Sequence, residues 1–150
     1  MAKTVLLVDD DDSLSTLLTA CIKESGEIVE IKQVRTAEEA LDYIGAINEK
    51  GGPAGRAALA LPSVILLDLK LPKMSGMELL HKLKSDAKML DIPVTVLTAM
   101  ESPKDIREVY CEHANSCIIK PFDLDELRSK MKSFASYWIK YNRLPEDKAQ

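Results

Sequence analysis

The segment that decides the fold is Ser63-Val-Ile-Leu-Leu-Asp68-Leu-Lys-Leu-Pro72-Lys-Met-Ser-Gly76. Four consecutive aliphatic residues, Val64 to Leu67, cannot alternate between a core and water. They fit a strand covered on both faces, as in a parallel sheet. An aspartate directly after such a strand has no packing purpose. The turn from Pro72 to Gly76 then leads into a helical pattern, with Ser75 placed near its start and Leu79, Leu80 and Leu83 on one face.

Outward from this unit the same alternation repeats. Strand-like runs occupy residues 4–8, 27–34, 63–67, 93–97 and 117–119. Between them, Leu14, Leu17, Leu18, Cys21 and Ile22 follow helical spacing, and Thr36 with Glu39 reads as a capping box before Ala37, Ala40, Leu41 and Ile44. Ser102, Pro103 and Asp105 open a fourth helix, and Asp123 with Glu126 a fifth. Five strand–helix units imply an α/β chain with crossover connections. The expected architecture is a flavodoxin-like doubly wound (βα)5 three-layer sandwich, parallel sheet order 2-1-3-4-5. In that order the functional crevice lies at the carboxyl ends of strands 1 and 3. Residues 45–63, holding four of the six glycines, read as a long surface loop.

Composition narrows the function. With 150 residues the chain suits one domain, and at 46% hydrophobic and 29% charged it has the make-up of an ordinary soluble globule. A formal net charge of −4 disfavours nucleic acid and anionic membranes as partners. No apolar run approaches the roughly 18 residues of a membrane span, and the run after Met1 is too short for a signal peptide, so a cytoplasmic location is expected. Cys21, Cys111 and Cys117 form no C-x-x-C pair and read as small, mostly buried side chains.

The crevice test succeeds. Strand 1 ends in Asp9, Asp10, Asp11 and Asp12, and strand 3 ends in Asp68. Carboxylates converging there repel one another, and a hard divalent cation such as Mg²⁺ is the natural compensation. One of Asp11 and Asp12 is expected to cap the first helix instead. Thr98 and Lys120 end strands 4 and 5, adding a hydroxyl and an ammonium suited to phosphoryl oxygens.

Leu-Val-Asp9-Asp10, Leu-Leu-Asp68-Leu-Lys-Leu-Pro72, Val-Leu-Thr98-Ala99 and Ile-Ile-Lys120-Pro121-Phe122 together resemble the signature of the response-regulator receiver domain, over about residues 3–133. The resemblance implies that Asp68 is the phosphoacceptor. It implies that Asp10, Asp68 and the Lys70 backbone carbonyl bind Mg²⁺, with Asp9 assisting, and that Thr98 and Lys120 contact the phosphoryl group. A sensor histidine kinase would be the donor. The domain would transfer phosphate onto itself without being an enzyme in the ordinary sense.

Four positions depart from, or tune, that pattern. Cys117 stands where the family usually has an aromatic switch residue, so coupling to Thr98 is expected to run through Ile118 or Tyr110, or to be weaker. Lys70 and Met100 flank the place of the phosphoryl group; neither orients a water, so slow autodephosphorylation is expected. His113 stands where a glycine often ends helix 4, and reads as a helix-end residue rather than a pH sensor.

Leu124, Leu127, Met131, Phe134, Trp138 and Tyr141 form a 3,4-spaced stripe. Its second part is expected to run past the domain (residues 1–133) as an extension (134–150) that presents Phe134, Tyr137, Trp138 and Tyr141 to a partner. This tail and the long loop are similar to the single-domain response regulators that partner phytochrome-type sensor kinases. That likeness implies a homodimer, output through protein contacts of the helix 4, strand 5 and helix 5 face to a downstream target, and no DNA-binding domain. A dehalogenase-type phosphatase would need a second aspartate where Lys70 stands, and a flavodoxin would need a phosphate loop where the aspartates stand. The competing reading is an unphosphorylated pseudo-receiver acting as a dimeric adaptor.

Overall fold

A computed structural model describes residues 3–49 and 61–145. Five parallel strands, β1 (Lys3–Val8), β2 (Val29–Val34), β3 (Val64–Asp68), β4 (Val94–Thr98) and β5 (Ser116–Ile119), pair in the order β2-β1-β3-β4-β5. The connecting helices are α1 (Asp12–Lys23), α2 (Ala37–Glu49), α3 (Gly76–Ser85), α4 (Pro103–Cys111) and α5 (Leu124–Ala135). The flavodoxin-like order read from the sequence is the one observed.

The sheet separates two cores. Leu6, Val8, Ile65, Leu67, Val94 and Val96 pack with α2, α3 and α4 on one side. Val5, Leu7, Val64, Leu66 and Leu97 pack with α1 and α5 on the other. Every residue of β3 and β4 is buried, which is why their sequences do not alternate. Burying each such aliphatic side chain contributes about 1.5–3 kcal/mol. The β2 edge does alternate, and it starts at Val29 because Val29 is the residue that pairs with Lys3 at the start of β1.

Helix starts are set by the caps. Asp11 accepts from the Leu14 N–H at 3.1 Å, Ser75 from Glu78 at 3.2 Å, Ser102 from Asp105 at 3.1 Å and Asp123 from Glu126 at 3.3 Å. Thr36 accepts from Glu39, whose carboxylate reaches back to the Arg35 N–H. Of the two candidates, Asp11 is therefore the α1 cap. Asp12 instead pairs with Arg35 and accepts from Gln33, tying α1 to the end of β2.

Three expectations are corrected. Residues 45–49 belong to α2, because Ile47 continues its buried face; of the rest of the expected loop, 50–60 lies outside the described residues and 61–63 lead irregularly into β3. Cys111 is exposed, since it closes α4 on the solvent side. The 3,4-spaced stripe is interrupted. After Ala135 the backbone widens into a π-helical turn, Ser136–Tyr141, with the Asn142 N–H donating to the Tyr137 carbonyl at 2.7 Å. The wider turn brings Ile139 into the core beside Ala135 and the buried Phe134. Phe134 is thus a core residue, not a surface contact, and the chain does not leave the body at 134. Tyr137 and Tyr141 are exposed and Trp138 is half-buried.

At the end of α4, His113 has φ +68°, the left-handed conformation that favours glycine. Its N–H donates to Tyr110 and the next N–H, of Ala114, to Val109, which is the Schellman pattern of a helix end. Replacement His113→Gly is expected to stabilise the fold by about 0.5–1 kcal/mol by removing the Cβ penalty. A rise in the urea midpoint with an unchanged slope would show it.

Candidate functional site

The carboxyl ends of β1, β3, β4 and β5 share one edge of the sheet. Alternation along β1 carries Val5 and Leu7 to the α1/α5 side, and Asp9 continues that series just past the strand. Asp68 does the same after Val64 and Leu66. The oxygens of Asp9, Asp10 and Asp68 consequently lie within 4.8 Å of one another. Asp9 and Asp68 are buried, and Asp10 is exposed.

Neighbouring groups hold these carboxylates in place. The Asp11 N–H donates to Asp9 Oδ1 at 2.9 Å, and the Lys70 N–H donates to Asp68 Oδ1 at 3.2 Å. Lys120 Nζ sits 3.3 Å from Asp68 Oδ2. One ammonium does not balance three carboxylates. Burial raises the Asp9 carboxyl to about 6 from an ordinary 3.8; the Asp11 N–H opposes this, Asp68 adds to it, and Lys120 opposes it. An all-oxygen cluster with surplus negative charge and an exposed Asp10 suits a hard divalent cation that keeps several waters.

Thr98 ends β4, buried, with its hydroxyl accepting from the Met100 N–H at 3.1 Å. The Lys120 N–H donates to the Thr98 carbonyl at 2.8 Å, so the hydroxyl and the ammonium rise from adjacent, hydrogen-bonded strand ends. Lys70 is exposed and Met100 half-exposed beside them. Cys117 packs against the α2/α3/α4 core, whereas Ile118 packs on the α1/α5 side and Tyr110 is exposed, so neither alternative occupies the place of Cys117. Tyr137 and Trp138 lie toward the other end of the sheet, beside Asn115 and Ser116 at the start of β5.

Two features of the site were not legible in the sequence. A Cβ on Gly76 would stand 2.5 Å from both the Asp68 carbonyl oxygen and the Leu69 Cα. The first residue of α3 is thus pressed onto the backbone that carries Asp68, and the Gly76 N–H donates to the Leu69 carbonyl at 3.0 Å. Phe122, two residues past Lys120, is fully exposed. Its only sequence signal was an aromatic residue following a Lys-Pro turn.

Because the folded protein holds the Asp9 proton more tightly than the unfolded chain does, ionising Asp9 destabilises the fold. The penalty is absent below pH 3.8 and complete above about pH 6. Asp9→Asn is therefore expected to raise the Tm of the metal-free protein at neutral pH by several degrees, at roughly 2–4 °C per kcal/mol for a domain of this size. Differential scanning calorimetry without and with millimolar Mg²⁺ tests it: the wild type should gain Tm on adding the ion and the variant should gain less.

Comparisons with known proteins agree with this geometry. The family model described as the response regulator receiver domain matches residues 5–132. The probable methanogenesis regulatory protein FilR2 of Methanothrix harundinacea is 36% identical over 141 residues, covering 94% of this chain and 86% of that protein. The response regulator Rcp1 of Synechocystis is 31% identical over 144 residues, covering 95% and 93%. Among solved structures, the phosphorylated cyanobacterial phytochrome response regulator RcpA superposes with a TM-score of 0.82 at 33% identity, covering 97% of this chain and all of that one. The Mn²⁺-bound form of Rcp1 gives 0.81 at 30% identity, covering 95% and 99%. A chain matched by the family model over most of its length, with the aspartates, threonine and lysine of that signature gathered at one sheet edge, belongs to the response regulator receiver domain family.

Proposed function

We propose that the protein is a stand-alone response regulator that accepts a phosphoryl group on Asp68 from a sensor histidine kinase of the phytochrome type. The observation that carries this reading is the convergence of Asp9, Asp10 and Asp68 within 4.8 Å, with Lys120 3.3 Å from Asp68. The kinase class rests on the likeness to RcpA and Rcp1.

In the transfer, an Asp68 carboxylate oxygen attacks the phosphorus of a phosphohistidine. The phosphorus–nitrogen bond breaks and its electron pair returns to the imidazole, leaving an acyl phosphate on Asp68. Asp9, Asp10, Asp68 and the Lys70 carbonyl would hold Mg²⁺, which supplies positive charge toward the phosphoryl oxygens when bound. Lys120 neutralises a phosphoryl oxygen from the β5 side. The Thr98 hydroxyl donates its O–H to another while its oxygen goes on accepting from the Met100 N–H. Nothing here requires a side-chain acid or base: positioning and electrostatics suffice. The exposed Phe122 beside Lys120 is an apolar contact for the donor kinase.

The product adds charge beside Thr98 and Lys120, and it biases the α4, β5 and α5 face that a downstream protein, or a second copy in a homodimer, reads. With Cys117 in place of an aromatic residue, the bias rests on Thr98 and the Lys120 backbone link rather than on a ring. No helix among the described residues is long and apolar enough to cross a membrane, and we place the protein with its kinase partner in the cytoplasm.

Incubation with acetyl phosphate and Mg²⁺ should label the wild type; Asp68→Asn and chelation of the metal should each abolish the label. An unlabelled wild type would make the chain a pseudo-receiver adaptor instead. Exposed Lys70 can lie across the phosphoryl group, and Met100 offers no atom to orient an attacking water. After acetyl phosphate is removed, the label should therefore persist for minutes or longer, and decay within seconds would contradict this.

A further inference from the structure

β5 is an edge strand of four residues, half-exposed throughout, yet the residue after it, Lys120, must come within 3.3 Å of Asp68. A lysine has a long flexible stem, and the end of a short edge strand offers few bonds to fix where that stem starts. The peptide group between Ile119 and Lys120 is held more firmly than the strand that leads to it. Its N–H, that of Lys120, donates to the Thr98 carbonyl at 2.8 Å. Its carbonyl, that of Ile119, turns away from β4 and accepts from Lys130 Nζ on α5 at 3.0 Å. One peptide plane is thus pinned at both ends, by β4 on one side and by α5 on the other. Pro121 follows, and a proline holds the residue before it extended. The orientation from which the Lys120 side chain leaves the backbone is therefore fixed on both sides.

Lys130 reaches that carbonyl for local reasons. Asp123 caps α5, and Leu127 and Met131 turn one face of the helix into the α1/α5 core. Lys130 lies beside that face, half-buried, along β5. Glu126, one turn earlier, pairs with its ammonium at 3.5 Å. A charged donor makes a stronger hydrogen bond than a neutral one, and polarising the Ile119 carbonyl strengthens the N–H bond made by the same peptide. The ammonium of Lys130 so tightens the link between Lys120 and Thr98. A lysine that served only to blunt a strand edge would be most useful over its open part. From Ser116 to Ile118 the edge borders a groove, and the contact falls instead on the peptide that carries Lys120.

We propose that Lys130 is a positioning residue for phosphoryl transfer. Through the Ile119–Lys120 peptide it holds the Lys120 ammonium against Asp68 and ties it to Thr98, while itself touching neither the phosphoryl group nor the metal. The proposal rests on the reading of Asp68 as phosphoacceptor.

The test uses the full chain, labelled with acetyl phosphate in the presence of Mg²⁺. Lys130→Met should label about three- to ten-fold more slowly than wild type, since only part of one charge-assisted hydrogen bond bears on the transfer. Lys130→Arg keeps the donor, and Lys132→Met removes an exposed charge from the same helix; both should label within about two-fold of wild type. In a Lys120→Ala background, Lys130→Met should slow labelling no further, because the group it positions is gone. Amide exchange of the Lys120 N–H should be faster in Lys130→Met and unchanged in Lys132→Met, whether or not the protein takes phosphate. Lys130→Gln replaces Lys130→Met should the latter fail to fold by circular dichroism. A wild type that takes no label sinks the phosphoacceptor reading. A labelled wild type matched in rate by Lys130→Met, or a loss of equal size with and without Lys120, overturns this proposal alone.

Discussion

Three carboxylates held within 4.8 Å of each other, against one ammonium 3.3 Å from Asp68, are the constraint around which this molecule is built. Ionising Asp9 there opposes folding: burial first, and the nearby Asp68 after it, hold its carboxyl up at about 6. The arrangement survives because the residues carrying it are not free to separate. Asp68 ends a strand buried along its whole length, Asp9 follows a strand buried over its last four residues, and the two strands are hydrogen-bonded neighbours. The hydrophobic burial of the sheet outweighs the repulsion at its edge, and the surplus negative charge left there is of the kind that a hard divalent cation compensates.

The surrounding contacts keep the cluster at a fixed geometry. Backbone N–H groups of Asp11 and Lys70 orient one oxygen each on Asp9 and Asp68. Gly76 lets α3 lie directly on the backbone of Asp68 and Leu69, so a side chain there would displace the backbone that carries Asp68. Asp11 caps α1 while Asp12 is drawn off by Arg35 and Gln33. Of four consecutive aspartates, two serve the site and two serve the start of the helix behind it.

Away from that edge the protein is less tightly specified. β5 is four residues long, half-exposed throughout, and bordered by a groove rather than by another strand. Its second residue, Cys117, packs against the α2/α3/α4 core. The aromatic side chains that line this groove are Phe134 of α5 and Tyr137 and Trp138 of the π-turn.

Much of the architecture was written in short-range pattern. Continuous aliphatic runs at Val5–Val8 and Val64–Leu67 fixed two-sided burial, and the caps at Asp11, Thr36, Ser75, Ser102 and Asp123 marked the helix starts. With the strand order these placed Asp9, Asp10, Asp68, Thr98 and Lys120 at one edge, because in a parallel sheet all strand ends of one kind meet there. Tertiary structure alone decided the rest. The 3,4 spacing through Phe134, Trp138 and Tyr141 described an α-helix, but the helix widened so that Ile139 filled the core. The role of Gly76 depended on how closely α3 approaches β3, and the choice between Asp11 and Asp12 on the reach of Arg35. Spacing determines which residues share a face of one element; the contacts made between elements determine which of them is buried, and no periodicity encodes that distance.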